Sequence, residues 1–265
     1  MLCYPIGTMI PIFKSHFSIG KSILTLSPPD SENTDKADSI FDISEEFNLE
    51  QIVLIEDSFM GFPEALKVSQ SLNKKLTFGI RFNICPDTKQ LEEKKKPECS
   101  HKLIVLSKNS NGIKLLNLIY TEAFTVNRGW VDFSLLKKFW NDKDLMLCVP
   151  FYDSFIFNNL TSFQFCLVDF SFTNPVFFIE NNGLPFDSMV RDAALEYCKS
   201  NGHSYEKVKS IFYKNKNDFD AFLTYKLVCS RNQFAGKEVS IEKPNMDHLG
   251  SNEFCFESFL EKCDT

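Results

Sequence analysis

The segment Gln51-Ile52-Val53-Leu54-Ile55-Glu56-Asp57 decides the fold class of this chain. Its four consecutive aliphatic residues are typical of a short strand that is buried on both faces, and two carboxylates follow directly. Residues 40–47, just upstream, have apolar side chains at helical spacing. A helix that leads into such a strand indicates a βαβ rhythm, in which functional groups lie at the carboxyl ends of the strands.

The same alternation continues along most of the 265 residues. Further strands are predicted at residues 10–13, 75–82, 101–107, 145–149, 176–180 and 208–212. Further helices are predicted at residues 63–72, 111–124, 134–140, 186–200 and 218–228. We therefore expect an α/β fold with a parallel sheet, closed or open. From residue 230 onward the sequence is irregular, with a short final helix at 257–261.

Composition and charge exclude several classes of function. The net charge of −6 makes the surface repel phosphate backbones, so we expect contact with nucleic acid only indirectly. The one basic run, Lys94-Lys95-Lys96, is interpreted as a solvated loop. Nine cysteines without a Cys-x-x-Cys pair predict reduced thiols in a cytoplasmic protein. No apolar run approaches ~18 residues, so we expect no membrane contact.

Polar side chains stand near the ends of the first four predicted strands. His16 follows the first strand, and Glu56 and Asp57 end the second. Arg81 lies near the end of the third strand, and His101 opens the fourth. Imidazoles and carboxylates that converge at one edge of a sheet are the groups that a hydrolytic metal site uses.

This arrangement resembles the PHP (polymerase and histidinol phosphatase) family, in particular the N-terminal PHP domain of bacterial DNA polymerase III alpha subunits. Five stretches match in order, and the closest is 101–109 with Gly112, Leu115, Leu116 and Asn117, which is similar to the family's His-Leu-x-x-Leu-Ala-Lys-Asn-x-x-Gly-x-x-Asn-Leu. The other four stretches are Phe13-Lys14-Ser15-His16-Phe17-Ser18, 52–57 with Gly61 and Glu64, 76–82, and Phe178-Ile179-Glu180 with Gly183-Leu184-Pro185.

The resemblance implies a distorted (βα)7 TIM-like barrel over residues 1–229. It also implies that residues 230–265 form an irregular extension that leads toward, or docks on, a polymerase part. In intact members, a pocket at the strand ends holds a zinc- or manganese-type cluster and hydrolyses phosphoesters, in some cases as a proofreading nuclease. Such chemistry needs several imidazoles and carboxylates around adjacent metal ions.

The chain departs from the family pattern at several of the expected ligand positions. Lys14 stands where the first motif has a metal-binding side chain, and an ammonium group repels a cation. Arg81 replaces a bridging-type glutamate, and Asp57 stands where the family has a histidine after the position of Glu56. In the segment that resembles Asn-Asp-Val-His-Tyr, Ser210 and Phe212 replace the aspartate and the histidine.

The resemblance leaves a residual pocket of His16, Glu56, Asp57, Glu64 and His101, with no residue assigned as catalytic. We hypothesise that Lys14 and Arg81 replace the metal ions and pair with Glu56, Asp57 or Glu64, because unpaired buried charge is costly. No cofactor is then expected. His16 and His101 are either residual ligands or hydrogen-bonded relics at the mouth of the barrel.

The first hypothesis for function is a degenerate, non-catalytic PHP domain of a DNA polymerase III alpha-like replication protein. Its partner would be a polymerase subunit or domain, with a proofreading exonuclease as a further candidate, because 265 residues cannot hold a polymerase palm, fingers and thumb. The alternative is a metal-dependent phosphoesterase or 3′–5′ exonuclease, which would use zinc or manganese on His16, Asp57, Glu64 and His101. A third hypothesis is a PHP-like binding protein unrelated to replication.

Overall fold

The computed structural model describes residues 9–29, 37–91, 97, 99–229 and 250–263. The run Lys94-Lys95-Lys96 and most of the predicted extension, 230–249, lie outside these residues. The strands within the described part are β1 (Ile10–Phe13), β2 (Gln51–Glu56), β3 (Lys75–Ile84), β4 (His101–Ser107), β5 (Trp130–Val131), β6 (Leu145–Val149), β7 (Val176–Ile179) and β8 (Ser204–Ile211). The helices are α1 (Ile40–Glu46), α2 (Phe62–Ser71), α3 (Ser110–Thr125), α4 (Phe133–Phe139), α5 (Phe155–Thr161), α6 (Asp187–Asn201), α7 (Phe219–Cys229) and α8 (Phe256–Cys263).

The structure confirms an α/β fold in which the strand pairings close into a seven-stranded barrel. The hydrogen-bonded order is β2-β1-β8-β7-β6-β4-β3, β3 also pairs with β2, and β5 adds to β3. The expectation of a parallel sheet is wrong for β4, which runs antiparallel to both β3 and β6. A parallel return from β3 to β4 needs a crossover of a dozen or more residues that is usually helical. The described part of that connection contains only the 3-10 turn Thr88–Gln90.

The chain divides into two compact units. Of the described residues, those from 78 to 180 and from 186 to 207 form the first unit, and those from 9 to 77, from 181 to 185 and from 208 to 263 form the second. Within the described part of the chain, no helix is long and apolar enough to cross a membrane.

In the first unit, the stretch with the closest family resemblance forms strand β4 and the start of α3. Asn109 is the N-cap of α3, where its side chain accepts from the Gly112 N–H at 2.9 Å. A Cβ on Gly112 would lie 2.2 Å from the carbonyl oxygen of Asp144, so this approach requires glycine. The Asp144 carboxylate in turn accepts from the side chains of Asn109, Asn111 and Asn141. The Asn-x-x-Gly spacing therefore serves a helix cap and a tight packing contact.

In the second unit, β1 pairs in parallel with both β2 and β8. Part of the predicted extension packs into this unit, because the Phe212 N–H donates to the Phe254 carbonyl at 2.9 Å and the Phe256 N–H donates to the Tyr213 carbonyl at 3.1 Å. Phe254, Phe256 and Phe259 are buried. Three phenylalanines of the described residues 250–263 thus contribute to the core of the second unit.

Candidate functional site

The candidate site in the second unit forms where the loop after β1 lies beside the end of β2. The register pairs Ile12 with Val53 and Phe13 with Leu54. Continuing this parallel register by two residues brings Ser15 to Glu56. We call the set Lys14, Ser15, Ser18, Lys21, Glu56 and Asp57 the carboxylate site.

Glu56 is the buried carboxylate of this site and has no exposed surface. The Ser15 N–H donates to its Oε1 at 2.7 Å, and the Ser18 hydroxyl donates to its Oε2. Burial raises the pKa of Glu56, while Lys14 and the two serines act in the opposite direction. Both carboxylate oxygens are therefore occupied by donors from the loop after β1.

Asp57 lies between two ammonium groups. Lys14 Nζ is 2.9 Å from Asp57 Oδ1, and Lys21 Nζ is 2.8 Å from Asp57 Oδ2. The Lys14 side chain is only 6% exposed, whereas Asp57 is 29% and Lys21 48% exposed. Burial alone would raise the pKa of Asp57, but the charges of Lys14 and Lys21 outweigh it and hold that pKa far below its usual value. Asp57 is thus an ionised carboxylate with internal counterions.

His16 and Glu64 make no ion pair with this cluster. The Nδ1 of His16 lies 3.3 Å from the carbonyl oxygen of Leu24, and its ring packs on Phe17 with 4.4 Å between the centroids. Glu64 is half-buried in the first turn of α2, where a carboxylate interacts favourably with the helix dipole. Among the described residues, Glu64 has no hydrogen bond or ion pair. The second unit therefore brings together Lys14, Glu56 and Asp57, with His16 in the same loop.

In the first unit, Arg81 pairs with Asp153 rather than with Glu56, Asp57 or Glu64. One Nη atom donates to the carbonyl oxygen of Tyr152 at 2.6 Å and lies 3.3 Å from Asp153 Oδ2. Lys102 shares the same carboxylate oxygen at 3.4 Å. Asp153 lies in the loop between the end of β6 at Val149 and the start of α5 at Phe155, and its pairing with Arg81 was not predicted from the sequence.

His101, also in the first unit, is buried among aromatic rings. Phe133 and Phe155 have ring centroids 6.3 Å and 6.1 Å from that of His101. Its Nε2 is buried and has no hydrogen-bond partner among the described residues. Burial lowers the pKa of His101 to about 4, so the imidazole is neutral at neutral pH.

The residues present do not fit the metal cluster that the family resemblance implies. Within the described residues, no group of three or more His, Cys, Asp or Glu side chains is placed to hold a metal ion. The carboxylates that could bind a metal ion already have partners in the protein. The oxygens of Glu56 accept hydrogen bonds from Ser15 and Ser18, and the ammonium group of Lys14 contacts Asp57. A cation at this place would meet a buried ammonium group.

Lys209 is a second buried lysine, and its burial was not predicted from the sequence. It is 1% exposed, donates to Asn182 Oδ1 at 2.5 Å and lies 3.8 Å from Glu253 Oε2. Lys262 and Lys216 lie 3.0 Å and 3.7 Å from the same carboxylate. These charges attach the described C-terminal residues to the rest of the second unit.

Comparisons with known proteins add no relative. No family model matches the chain, and no curated protein matches it.

Proposed function

We propose that this protein is a non-catalytic module of the PHP class that docks onto a DNA polymerase of the polymerase III alpha type. In this proposal the seven-stranded barrel is a distorted member of the (βα)7 type. Its pocket no longer binds zinc or manganese, and its role is to hold a polymerase polypeptide, with a proofreading exonuclease as a further partner.

The ion pair between Lys14 and Asp57 is the observation that carries the non-catalytic part of the proposal. A phosphoesterase needs carboxylates that are free to bind cations and to orient an activated water molecule. Here Asp57 has two ammonium partners, at 2.9 Å and 2.8 Å, and Glu56 accepts two internal hydrogen bonds. The carboxylates are therefore neutralised by the protein itself.

Five ordered sequence matches support the polymerase part of the proposal. The net charge of −6 favours a protein partner over direct contact with nucleic acid. The best-matching stretch, 101–109 with Gly112, has a physical role in this fold as a strand, a helix cap and a close backbone contact. In this proposal, the stretch is retained because the fold needs it, even though the residues of the metal site have changed.

A binding experiment tests the docking role. The full chain is mixed with a DNA polymerase III alpha-type polypeptide that lacks its own PHP portion, and complex formation is followed by size-exclusion chromatography. We expect a stable complex. The matched control is the same polypeptide with its PHP portion intact, which should not bind because its docking surface is already covered. Binding to neither polypeptide contradicts the proposal.

A catalytic assay tests the alternative function. Hydrolysis of an aryl phosphate, or of the 3′ end of DNA, is measured with added manganese. We expect no activity above the buffer rate. Turnover that His16→Ala abolishes would establish the metal-dependent phosphoesterase instead.

A further inference from the structure

A cleft of about 520 Å³ lies within the second unit, away from the residues of the carboxylate site. Its lining comes from the loop after β7, the start of α7, the segment before α8 and α8 itself. The polar and aromatic side chains of the lining belong to Asn181, Phe219, Ser251, Asn252, Glu253 and Lys262. The volume is within the ~300–1,000 Å³ of small-molecule sites in proteins.

Hydrogen bonds hold the walls of this cleft together. The Ser251 hydroxyl donates to the carbonyl oxygen of Asn182 at 2.5 Å, and the Lys262 ammonium donates to the carbonyl oxygen of Asn181 at 2.7 Å. Asn182 is fully buried. The loop after β7 is thus joined to the segment before α8 and to α8, so the walls of the cleft are formed by the fold itself.

The charges beside the cleft neutralise one another. The Glu253 carboxylate has Lys262 at 3.0 Å, Lys216 at 3.7 Å and the buried Lys209 at 3.8 Å, and Lys216 also pairs with Glu261 at 2.6 Å. An anionic ligand would compete with Glu253 for the lysines, and a cationic ligand would compete with the lysines for Glu253. A neutral ligand disturbs none of these ion pairs, so the cleft favours an uncharged molecule.

Several polar groups of the lining remain available to a ligand. Within the described part of the chain, the side-chain amide of Asn252 makes no hydrogen bond, and neither does Nδ2 of Asn181, whose Oδ1 accepts from the Gly183 N–H at 3.3 Å. Oε1 of Glu253 lies 3.7 Å from Lys216, which is beyond hydrogen-bond distance. Donors therefore stand beside acceptors. Hydroxyl groups match such a set, because each one both donates and accepts.

Phe219 adds an apolar wall to the cleft. It is half-buried and packs on Tyr213, with 6.1 Å between the ring centroids. An aromatic side chain with a few polar groups beside it is the usual composition of a small-molecule site. A sugar ring has both complements, since its C–H groups form an apolar face and its hydroxyls project from the edge.

We propose that this cleft binds a neutral sugar of one or two rings. The hydroxyls of the sugar would bind the side chains of Asn181, Asn252 and Glu253, and its C–H face would pack on Phe219. The proposal uses no residue of the carboxylate site, and it does not depend on whether the protein docks onto a polymerase.

A binding experiment with the full chain tests the proposal. The probes are the methyl glycosides of glucose, galactose and mannose and the disaccharides maltose and lactose, and binding is measured by saturation-transfer difference NMR. We expect at least one probe to bind saturably with a Kd below about 10 mM. Asn252→Ala should weaken that binding at least ~threefold, because it removes hydrogen bonds to the ligand. Asn252 is exposed and its side chain makes no hydrogen bond within the described residues, so the variant should fold like the parent.

Two controls separate the cleft from general binding of polar molecules. Asn83→Ala removes another exposed asparagine side chain, which lies on β3 and does not line the cleft, and this variant should bind the sugar like the parent. The 6-phosphate and the 2-amino derivative of the sugar that binds differ from it mainly in charge. Both should bind at least ~threefold more weakly than the neutral sugar.

Three results would overturn the proposal. The first is that none of the neutral sugars binds below about 10 mM. The second is unchanged binding to Asn252→Ala, which would place the sugar elsewhere on the protein. The third is tighter binding of the 6-phosphate than of the neutral sugar, because the lysines around Glu253 would then form an anion site. None of these results bears on the polymerase-binding experiment, which has a separate readout.

Discussion

Replacing Lys14 by methionine removes one ammonium group from the carboxylate site while nearly keeping the length of the side chain. The Lys14 side chain is 6% exposed and contacts Asp57 at 2.9 Å. After the replacement, Asp57 keeps Lys21 at 2.8 Å, but Glu56 loses the positive charge that lowers its pKa. We therefore expect the variant to be less stable than the parent, with the pKa of Glu56 raised further.

The size of the effect follows from the burial of the pair. Removing one partner of a buried ion pair costs about 3–5 kcal/mol. Asp57 is 29% exposed and retains Lys21, so solvent and the second cation reduce the expected loss to about 2–3 kcal/mol. A double-mutant cycle with Asp57→Asn should give a coupling free energy of about 1–2 kcal/mol, because the two charges are in direct contact.

Urea unfolding at pH 7, followed by circular dichroism, measures these free energies. The matched control is Lys74→Met, which breaks the more exposed ion pair from Lys74 to Glu45 (N···O 3.0 Å, Glu45 45% exposed) and should cost at most about 1 kcal/mol. If Lys14→Met costs no more than this control, or if the coupling to Asp57 is zero, the internal-counterion interpretation of the carboxylate site is wrong.

Further outcomes follow from other buried groups. The pKa of His101 is about 4 in the folded protein and 6.5 in the unfolded chain, so on acidification the unfolded chain takes up the proton first. The free energy of unfolding should therefore fall by about 3 kcal/mol between pH 7 and pH 4. His101→Leu should remove that part of the pH dependence, and an unchanged profile would contradict it. Gly112→Ala should destabilise by at least about 2 kcal/mol in urea unfolding, because the new methyl would lie 2.2 Å from the Asp144 oxygen; a neutral effect would refute this contact. The buried Cys148 thiol, whose pKa burial raises, should resist iodoacetamide in the native protein while the exposed Cys229 reacts, as mass spectrometry would show; rapid modification of Cys148 would contradict its burial.

Local sequence signals were sufficient for most helices and strands. Helix α6 is an example, because Pro185 precedes it and Gly202 ends it in the left-handed conformation at φ 69°. Helix α5 was not predicted, although Ser154 caps it, because its seven residues are too few for a clear helical period. The antiparallel direction of β4 was also not predicted, since periodicity does not report strand direction.

Only those contacts of the candidate site that join residues at the ends of neighbouring strands could be predicted from the sequence. Lys14 and Asp57 directly follow neighbouring parallel strands, so their proximity can be expected from sequence. Lys21 and Asp153 lie in loops, and their positions depend on loop conformations that no apolar pattern encodes.

The metal content of the purified protein tests the central claim most directly. The claim is that Lys14 and Lys21 neutralise the carboxylate that would otherwise bind cations. The protein is dialysed against zinc or manganese, freed of unbound metal and analysed by inductively coupled plasma mass spectrometry, with Lys14→Met measured beside it. For the parent protein, we predict a metal content well below ~1 ion per chain. About one or more tightly bound ions, lost on His16→Ala, would contradict the account.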